Sequence, residues 1–144
     1  MSDPQFVVAA VVIRDDEGRI LLVRKQGTSR FMLPGGKIEP GETPAECAIR
    51  EAAEELGVTL DPESLDVLGD WTAPAANEPG HSVRGHMFLH PWVDGIAVHG
   101  EIADLRWFDP RTDERRDLAP LFEHRVLPAL LGQASPDRPS TDEP

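Results

Sequence analysis

The segment from residue 33 to residue 58 constrains the fold most, because it specifies an irregular loop followed directly by a helix. Five Pro and Gly residues within 33–41 predict a loop without regular structure. Thr43 is the predicted N-cap, with a proline in the first turn and Glu46 completing a capping box. Gly57 follows the last helical residue, where a left-handed conformation ends a helix. The sequence therefore predicts a helix from about Pro44 to Leu56.

This helix carries three carboxylates on one face. Glu51, Glu54 and Glu55 fall within an arc of about 100° on a helical wheel, beside the apolar stripe that packs on the sheet. Such i,i+3 and i,i+4 pairs of like charge repel by roughly 0.2–0.5 kcal/mol each. A divalent cation removes this repulsion, and oxygen ligands with open positions favour Mg²⁺ over Ca²⁺. Taken alone, E-x-x-E-E is more often the pattern of an ordinary solvated helix face than of a metal site.

The remaining pattern predicts a mixed α+β domain. Phe6–Ile13 is an unbroken apolar run, which predicts a central strand covered on both faces. The turn residues after it and a second apolar run, 20–23, predict a β-hairpin. Further strands are predicted at 65–72, 83–92 and 105–108, with a hairpin or short strand at 95–100. A second helix that Pro128 kinks or ends is predicted from the helical spacing of Leu118, Leu121, Phe122 and Val126.

Composition narrows the class of protein. The 144 residues fit one domain, 1–132, followed by a polar, proline-rich tail, 133–144, that we predict to be disordered. A formal net charge of −12 argues against nucleic acid and anionic membranes as partners and favours a small-molecule ligand. The sequence does not decide between a monomer and a homodimer. No signal peptide or apolar run of about 18 residues is present, which predicts a cytoplasmic protein. The lone Cys47 excludes an internal disulfide and is expected to be a small packed residue.

The stretch from Gly36 to Val58 resembles the Nudix box, G-x5-E-x7-R-E-U-x-E-E-x-G-U, where U is apolar. Ala52 fills one apolar slot and is smaller than the usual Leu or Ile. The resemblance extends to the order of elements from Phe6 to about Gly132. It implies the Nudix fold, a mixed β-sheet sandwiched between helices with a loop–helix–loop catalytic motif. Every fixed position of the box is present: Gly36, Glu42, Arg50, Glu51, Glu54, Glu55 and Gly57.

The resemblance also implies a chemistry, the cleavage of a nucleoside diphosphate linked to another group with the help of Mg²⁺ or Mn²⁺. By position in the box, the metal ligands would be Glu51, Glu54 and Glu55, joined by the Gly36 carbonyl. Glu42 and Arg50 would hold the loop and helix in shape, Arg50 by pairing with a box carboxylate. A diphosphate approaches three carboxylates only when cations bridge the two sets of oxygens, so the implied roles agree with the electrostatics.

The sequence does not assign the general base or the phosphate-binding side chains to single residues. The base is either a box carboxylate, Glu54 or Glu55, or Glu101 on a later loop. We predict that Trp107 packs at a strand end rather than stacking on a nucleobase. The candidate phosphate-binding side chains are Arg24, Lys25, Arg30, Lys37, Arg84 and His86, each of which is otherwise a solvated surface residue.

Three functions follow from this resemblance. The short chain favours a (deoxy)nucleoside triphosphate, cleaved to the nucleoside monophosphate and pyrophosphate. ADP-ribose or another nucleoside diphosphate-sugar is the alternative, because Pro74 lies sixteen residues after Val58, near the position of a marker of ADP-ribose enzymes. The absence of Tyr removes the marker of dinucleoside-polyphosphate enzymes. A non-catalytic nucleotide-sensing module is the third reading, which the intact carboxylate set disfavours.

Overall fold

The first strand forms the centre of the larger of two sheets. The computed structural model describes residues 5–76 and 78–132, and in it β1 is Gln5–Ile13. The sheet order is β3 (Gly35–Lys37), β1, β5 (Ser82–His90) and β4 (Asp66–Pro74), with β1 and β5 parallel and the other pairs antiparallel. Residues 9–13 are all buried. The prediction of a central strand covered on both faces is therefore confirmed.

A second, two-stranded antiparallel sheet pairs β2 (Ile20–Lys25) with β6 (Ile102–Phe108). The predicted hairpin between the first two strands is wrong, since they share only one isolated bridge, between Arg14 and Ile20, before diverging. The physical reason is that β3 and β5 already occupy both edges of β1. The intervening turn only reverses the chain.

Helices cover the sheets on both sides. α1 (Pro44–Leu56) packs on one side. A wide π-helical turn (Phe122–Val126) followed by α2 (Leu127–Leu130) packs on the other. A short 3₁₀ turn (Pro62–Ser64) precedes β4. Alternate residues of β1 enter the two cores, Val11 facing α1 and Val12 facing the C-terminal helix. The predicted α+β architecture, a mixed sheet sandwiched between helices, is confirmed.

Three local predictions need correction. The loop within 33–41 contains β3, because glycine lets the chain approach β1 closely enough for Gly36 to pair with Ala9. Residues 95–100 form neither a hairpin nor a strand, since 95 and 100 lie in turns and 96–99 have no regular structure. Of the two outcomes predicted for Pro128, an end of the second helix is wrong, because Pro128 falls in the first turn of α2, where no donor is needed. The helix is instead irregular directly before Pro128, where Leu127 N–H bonds to the carbonyl of Phe122 in a wide π-helical turn.

The predicted tail, 133–144, lies outside the described residues. Within 5–76 and 78–132, no helix has the length and apolar character needed to cross a membrane.

Candidate active site

Local interactions fix both ends of α1. The Thr43 hydroxyl accepts a hydrogen bond from Glu46 N–H at 3.1 Å, and the Glu46 carboxylate accepts one from Thr43 N–H at 2.9 Å. Gly57 ends the helix with φ of 72° and donates its N–H to the Ala53 carbonyl. The predicted helix and both of its caps are confirmed. Because both ends of α1 are capped, the helix holds the box carboxylates in a fixed position beside the Gly35–Lys37 strand.

Arg50 joins the preceding loop to the helix. Its guanidinium donates two hydrogen bonds to the Glu42 carboxylate, at 2.7 and 3.0 Å. It also donates to a Glu51 oxygen at 2.9 Å and to the Lys37 carbonyl at 3.1 Å. The hydrogen bonds from Arg50 lower the pKa of Glu42 to about 2. The forked geometry of arginine suits this bidentate contact, so Arg50 and Glu42 have the positions expected of residues that shape the site.

Glu55 is the buried carboxylate of the box. Its side chain is 6% exposed and accepts a hydrogen bond from Gly35 N–H at 3.2 Å. The Lys25 ammonium lies 3.8 Å from Glu55 Oε2. Burial raises the pKa of Glu55 to about 8, the neighbouring Glu51 adds to this, and Lys25 and the Gly35 N–H oppose it. A carboxylate in this position is poorly stabilised by the protein alone.

The other two box glutamates differ in exposure. The Glu51 side chain is 13% exposed and Glu54 is 57% exposed, with Glu54 directed toward Arg50 at 3.3 Å. A Cβ atom on Gly36 would lie 2.5 Å from a Glu51 carboxylate oxygen, so a larger residue at this position would displace the carboxylate. The structure thus brings Glu51 and Glu55 together and leaves Glu54 at the solvent edge.

The oxygen atoms of these residues are the ligand type that a hard divalent ion prefers, although their side chains are not arranged as a complete coordination site. Across the described ranges, no three His, Cys, Asp or Glu side chains already form a metal-holding group. The donors are all oxygens, two of them on largely buried side chains, and rotation of Glu54 would add a third carboxylate. The Gly36 carbonyl accepts a hydrogen bond from the Cys47 thiol at 3.3 Å. Cys47 is buried as predicted, and burial raises the pKa of its thiol to about 11, which disfavours a nucleophilic thiolate.

A cavity of about 210 Å³ opens beside the box on the side of the C-terminal helix. Its lining includes Lys25, Lys37 and the two glycines of β3. Sequence analysis missed this cavity because its walls come from strands and a helix far apart in the chain. The alternation of β1 was the available signal, since it places Phe6, Val8 and Ala10 on one face. The walls of the cavity are mainly apolar and include Phe6, Val8, Ala10, Pro74, Val83, Met87, Leu121 and Phe122.

The predicted basic residues divide into two groups. Lys37 lines the cavity, with Nζ 4.0 Å from the centroid of the Phe6 ring. Arg24 instead donates to the Thr28 carbonyl and to the carboxylate of Asp104. Arg84 pairs with an aspartate of β4 at 2.8 Å. Neither arginine lines the cavity.

Glu101 lies on a loop beside the last turn of α1. The preceding glycine closely approaches the Glu54 carbonyl, and the Glu101 carbonyl accepts a hydrogen bond from Gln26 N–H at 2.7 Å. The Glu101 side chain is exposed. Trp107 packs against Trp92, with ring centroids 5.3 Å apart, and contacts the core on the α1 side, as predicted.

Comparison with known sequences identifies relatives that cover most of the chain. A family model described as NUDIX domain matches residues 4–130. A MutT-like protein of Streptomyces ambofaciens is 41% identical over 125 residues, which are 87% of this chain and 76% of that protein. The CTP pyrophosphohydrolase of Escherichia coli is 31% identical over 119 residues, 79% of this chain and 82% of that protein. The chain spans less than two thirds of the length of some other curated relatives, such as 62% of a Nudix hydrolase of Rhodococcus erythropolis.

Solved structures agree with these matches. The MutT NUDIX hydrolase of Burkholderia pseudomallei superposes with a TM-score of 0.71 at 24% identity, covering 92% of this chain and all of that one. The ORF135 protein of E. coli superposes with a TM-score of 0.70 at 25% identity, covering 90% and 91% of the two chains. From the complete box, the sandwich around it and the family match over residues 4–130, we conclude that the chain belongs to the Nudix family.

Proposed function

We propose that this protein is a Mg²⁺-dependent pyrophosphohydrolase that cleaves a nucleoside diphosphate linked to another group. The observation that carries the proposal is the buried Glu55 carboxylate, which lies beside Glu51. It also contacts Gly35 N–H and the Lys25 ammonium, and these two residues line an apolar cavity. Removing a carboxylate from water is costly unless a cation is nearby. Mn²⁺ is the expected substitute, since it also accepts oxygen ligands. The activity in the printed name of the E. coli relative, CTP pyrophosphohydrolase, supports this reaction class.

We assign cation binding and proton transfer to carboxylates of this chain. Glu51, Glu54 and Glu55, with the Gly36 carbonyl, would hold the cation. When bound, the cation supplies positive charge that neutralises phosphate oxygens and favours deprotonation of the attacking water. A carboxylate takes the proton of that water as its oxygen attacks phosphorus in line, and the anhydride P–O bond on the far side breaks.

The base is either a box glutamate or Glu101. A box glutamate belongs to the cluster of carboxylates that would hold the cation. Glu101 is instead exposed, on the loop that contacts the end of α1. Replacing Glu101 by Gln therefore separates the two assignments, because only a base in that loop makes the pH–rate profile depend on it.

We propose a (deoxy)nucleoside triphosphate as the substrate, with a nucleoside monophosphate and pyrophosphate as products. The apolar cavity would take the nucleoside, and Lys37 in its lining would face the phosphates. A relative in Bacillus subtilis, named a putative 8-oxo-dGTP diphosphatase, is 30% identical over 104 residues. ADP-ribose is the second candidate because Pro74 lines the cavity, and the ADP-ribose pyrophosphatase of Methanocaldococcus jannaschii is 34% identical over 110 residues.

A substrate panel with product analysis in Mg²⁺ tests the proposal. We expect Glu54→Gln and Glu55→Gln each to lower turnover by at least about 10²-fold while the fold persists. The matched control is Glu17→Gln, an exposed carboxylate on the β1–β2 turn. Near-unchanged rates in both box variants would contradict the metal assignment. Nucleotide binding without any product would instead support a sensing module, and release of AMP from ADP-ribose alone would select the second substrate.

A further inference from the structure

The Phe6 ring is contacted by residues that come from both sides of β1. The His81 ring lies parallel to it, with an interplanar angle of 6° and 5.2 Å between the two centroids. The Lys37 ammonium lies 4.0 Å from the centroid of the same ring. Lys37 ends β3 and His81 directly precedes β5, and these two strands flank β1. Phe6 therefore connects the strand beside the box with the chain that enters β5.

His81 also closes the segment that leads from β4 to β5. Its carbonyl accepts a hydrogen bond from Ala75 N–H at 3.0 Å, and its N–H donates to the Glu78 carbonyl at 3.1 Å. His81 Nδ1 lies 3.2 Å from the Pro79 carbonyl oxygen. A carbonyl only accepts hydrogen bonds, so Nδ1 carries the proton and this contact orients the ring. Both the backbone and the ring of His81 are thus fixed relative to this segment.

The same segment forms one wall of the cavity. Residues 74–76 and Glu78 line the cavity on this side, and Phe6 lines it from β1. His81 itself is not among the lining residues, so a molecule in the cavity would not contact its ring. Any effect of His81 on binding must therefore act through the wall residues.

The His81–Phe6 pair is suited to hold this wall in place. Two of the wall residues, Ala75 and Ala76, have no side chain beyond Cβ with which to anchor themselves. Ordering a segment of this kind costs conformational entropy, which contacts elsewhere in the segment must offset. Parallel aromatic rings at this separation attract each other, and the pair provides such a contact at the end of the segment.

We propose that His81 is a positioning residue for the nucleoside part of the substrate, because its stacking on Phe6 holds residues 75–76 and 78 against the cavity. This inference rests on the proposed function, since it takes the cavity to be the nucleoside site. Loss of the stack would change the cavity wall and leave the carboxylates of α1 in place. His81 therefore affects substrate affinity and the discrimination between nucleosides, and the rate of the chemical step does not depend on it.

Steady-state kinetics of His81→Ala in Mg²⁺ test this assignment, with ATP, GTP, CTP, UTP, their deoxy counterparts and ADP-ribose as substrates. We expect the KM of the best wild-type substrate to rise about three- to tenfold, as for the loss of one aromatic pair. We expect kcat to stay within about twofold, because the box is unchanged. His81→Phe keeps a ring on Phe6 and should return KM to within about twofold of the wild-type value.

A second variant tests whether the effect of His81 passes through Phe6. Phe6→Leu removes the stacking partner, so adding His81→Ala to it should raise KM less than about twofold further. The matched control is His124→Ala, which removes a ring that is 65% exposed in the π-helical turn and should change neither KM nor kcat. Urea unfolding verifies that each variant is folded.

The outcomes separate this inference from the proposed function. If the wild-type protein hydrolyses at least one of these nucleotides, any result for His81→Ala other than a raised KM at nearly constant kcat overturns the inference, and the proposed function stands. A lowered KM would indicate that the His81 ring occupies the place of the nucleobase. Failure of His81→Phe to restore KM, or independent effects of the Phe6 and His81 substitutions, would also overturn it. If the wild-type protein hydrolyses none of the nucleotides, the proposed function fails and this inference fails with it.

Discussion

Because Glu55 is buried, we predict that its negative charge lowers the free energy of unfolding of the protein when no divalent cation is bound. The folded state raises the pKa of this carboxyl from its ordinary 4.5 to about 8, mainly through burial. The folded chain therefore holds the proton more tightly than the unfolded chain, and the contribution of Glu55 to the free energy of unfolding falls as pH rises between these two values. The shift from 4.5 to about 8 corresponds to at most roughly 5 kcal/mol. Relaxation of neighbouring groups reduces the expected effect to about 1–3 kcal/mol.

The perturbation is Glu55→Gln, which keeps the shape of the side chain and removes its titration. Urea unfolding in EDTA gives the free energy of unfolding of both proteins at several pH values. We expect the variant to gain stability relative to the wild type from pH 5 to pH 8.5, with little further change above that. Adding Mg²⁺ should reverse the order, because a ligand that binds only the folded state stabilises the wild type more. A difference that stays flat with pH, or an equal response to Mg²⁺ in both proteins, would refute the reasoning.

Two glycine substitutions test the geometry around α1. Gly36→Ala should push the Glu51 carboxylate away from the box and weaken Mn²⁺ binding by about 10- to 100-fold, measured by titration, and an unchanged affinity would contradict this prediction. Gly57→Ala should lower the free energy of unfolding by roughly 1–2 kcal/mol for its left-handed backbone, and by more where the new methyl meets the His99 ring. Gly95→Ala, with φ of 89° and nothing within 4 Å, is the matched control in urea unfolding, and equal losses in the two variants would exclude the His99 contact.

Sequence analysis located α1 accurately because its signals are local. The capping hydrogen bonds of Thr43, Glu46 and Gly57 join residues three or four positions apart. The same holds for the spacing that places three carboxylates on one helical face. Because such short-range interactions depend little on the rest of the fold, a helix and its caps can be predicted from the order of residues alone.

Strand pairing was less predictable because it joins distant segments. The adjacent strands β1 and β2 were expected to form a hairpin, yet β1 pairs in parallel with β5, whose register aligns Val8 with Gly85. Apolar alternation shows that a strand is buried but does not show which strand lies beside it. The short β3 strand inside a glycine-rich loop had no usable signal, since its pairing depends on the open edge of β1.

By itself, the sequence determined the helix, its caps and the residue types of the box. Only the tertiary structure decided that Glu55 is buried while Glu54 faces solvent, although both lie on the same arc of α1. It also decided that Lys25, rather than Arg24, reaches the cavity. The physical reason is that hydrogen bonds between near neighbours are fixed by local spacing. Burial, charge proximity and cavity shape arise only when segments far apart in the chain pack together.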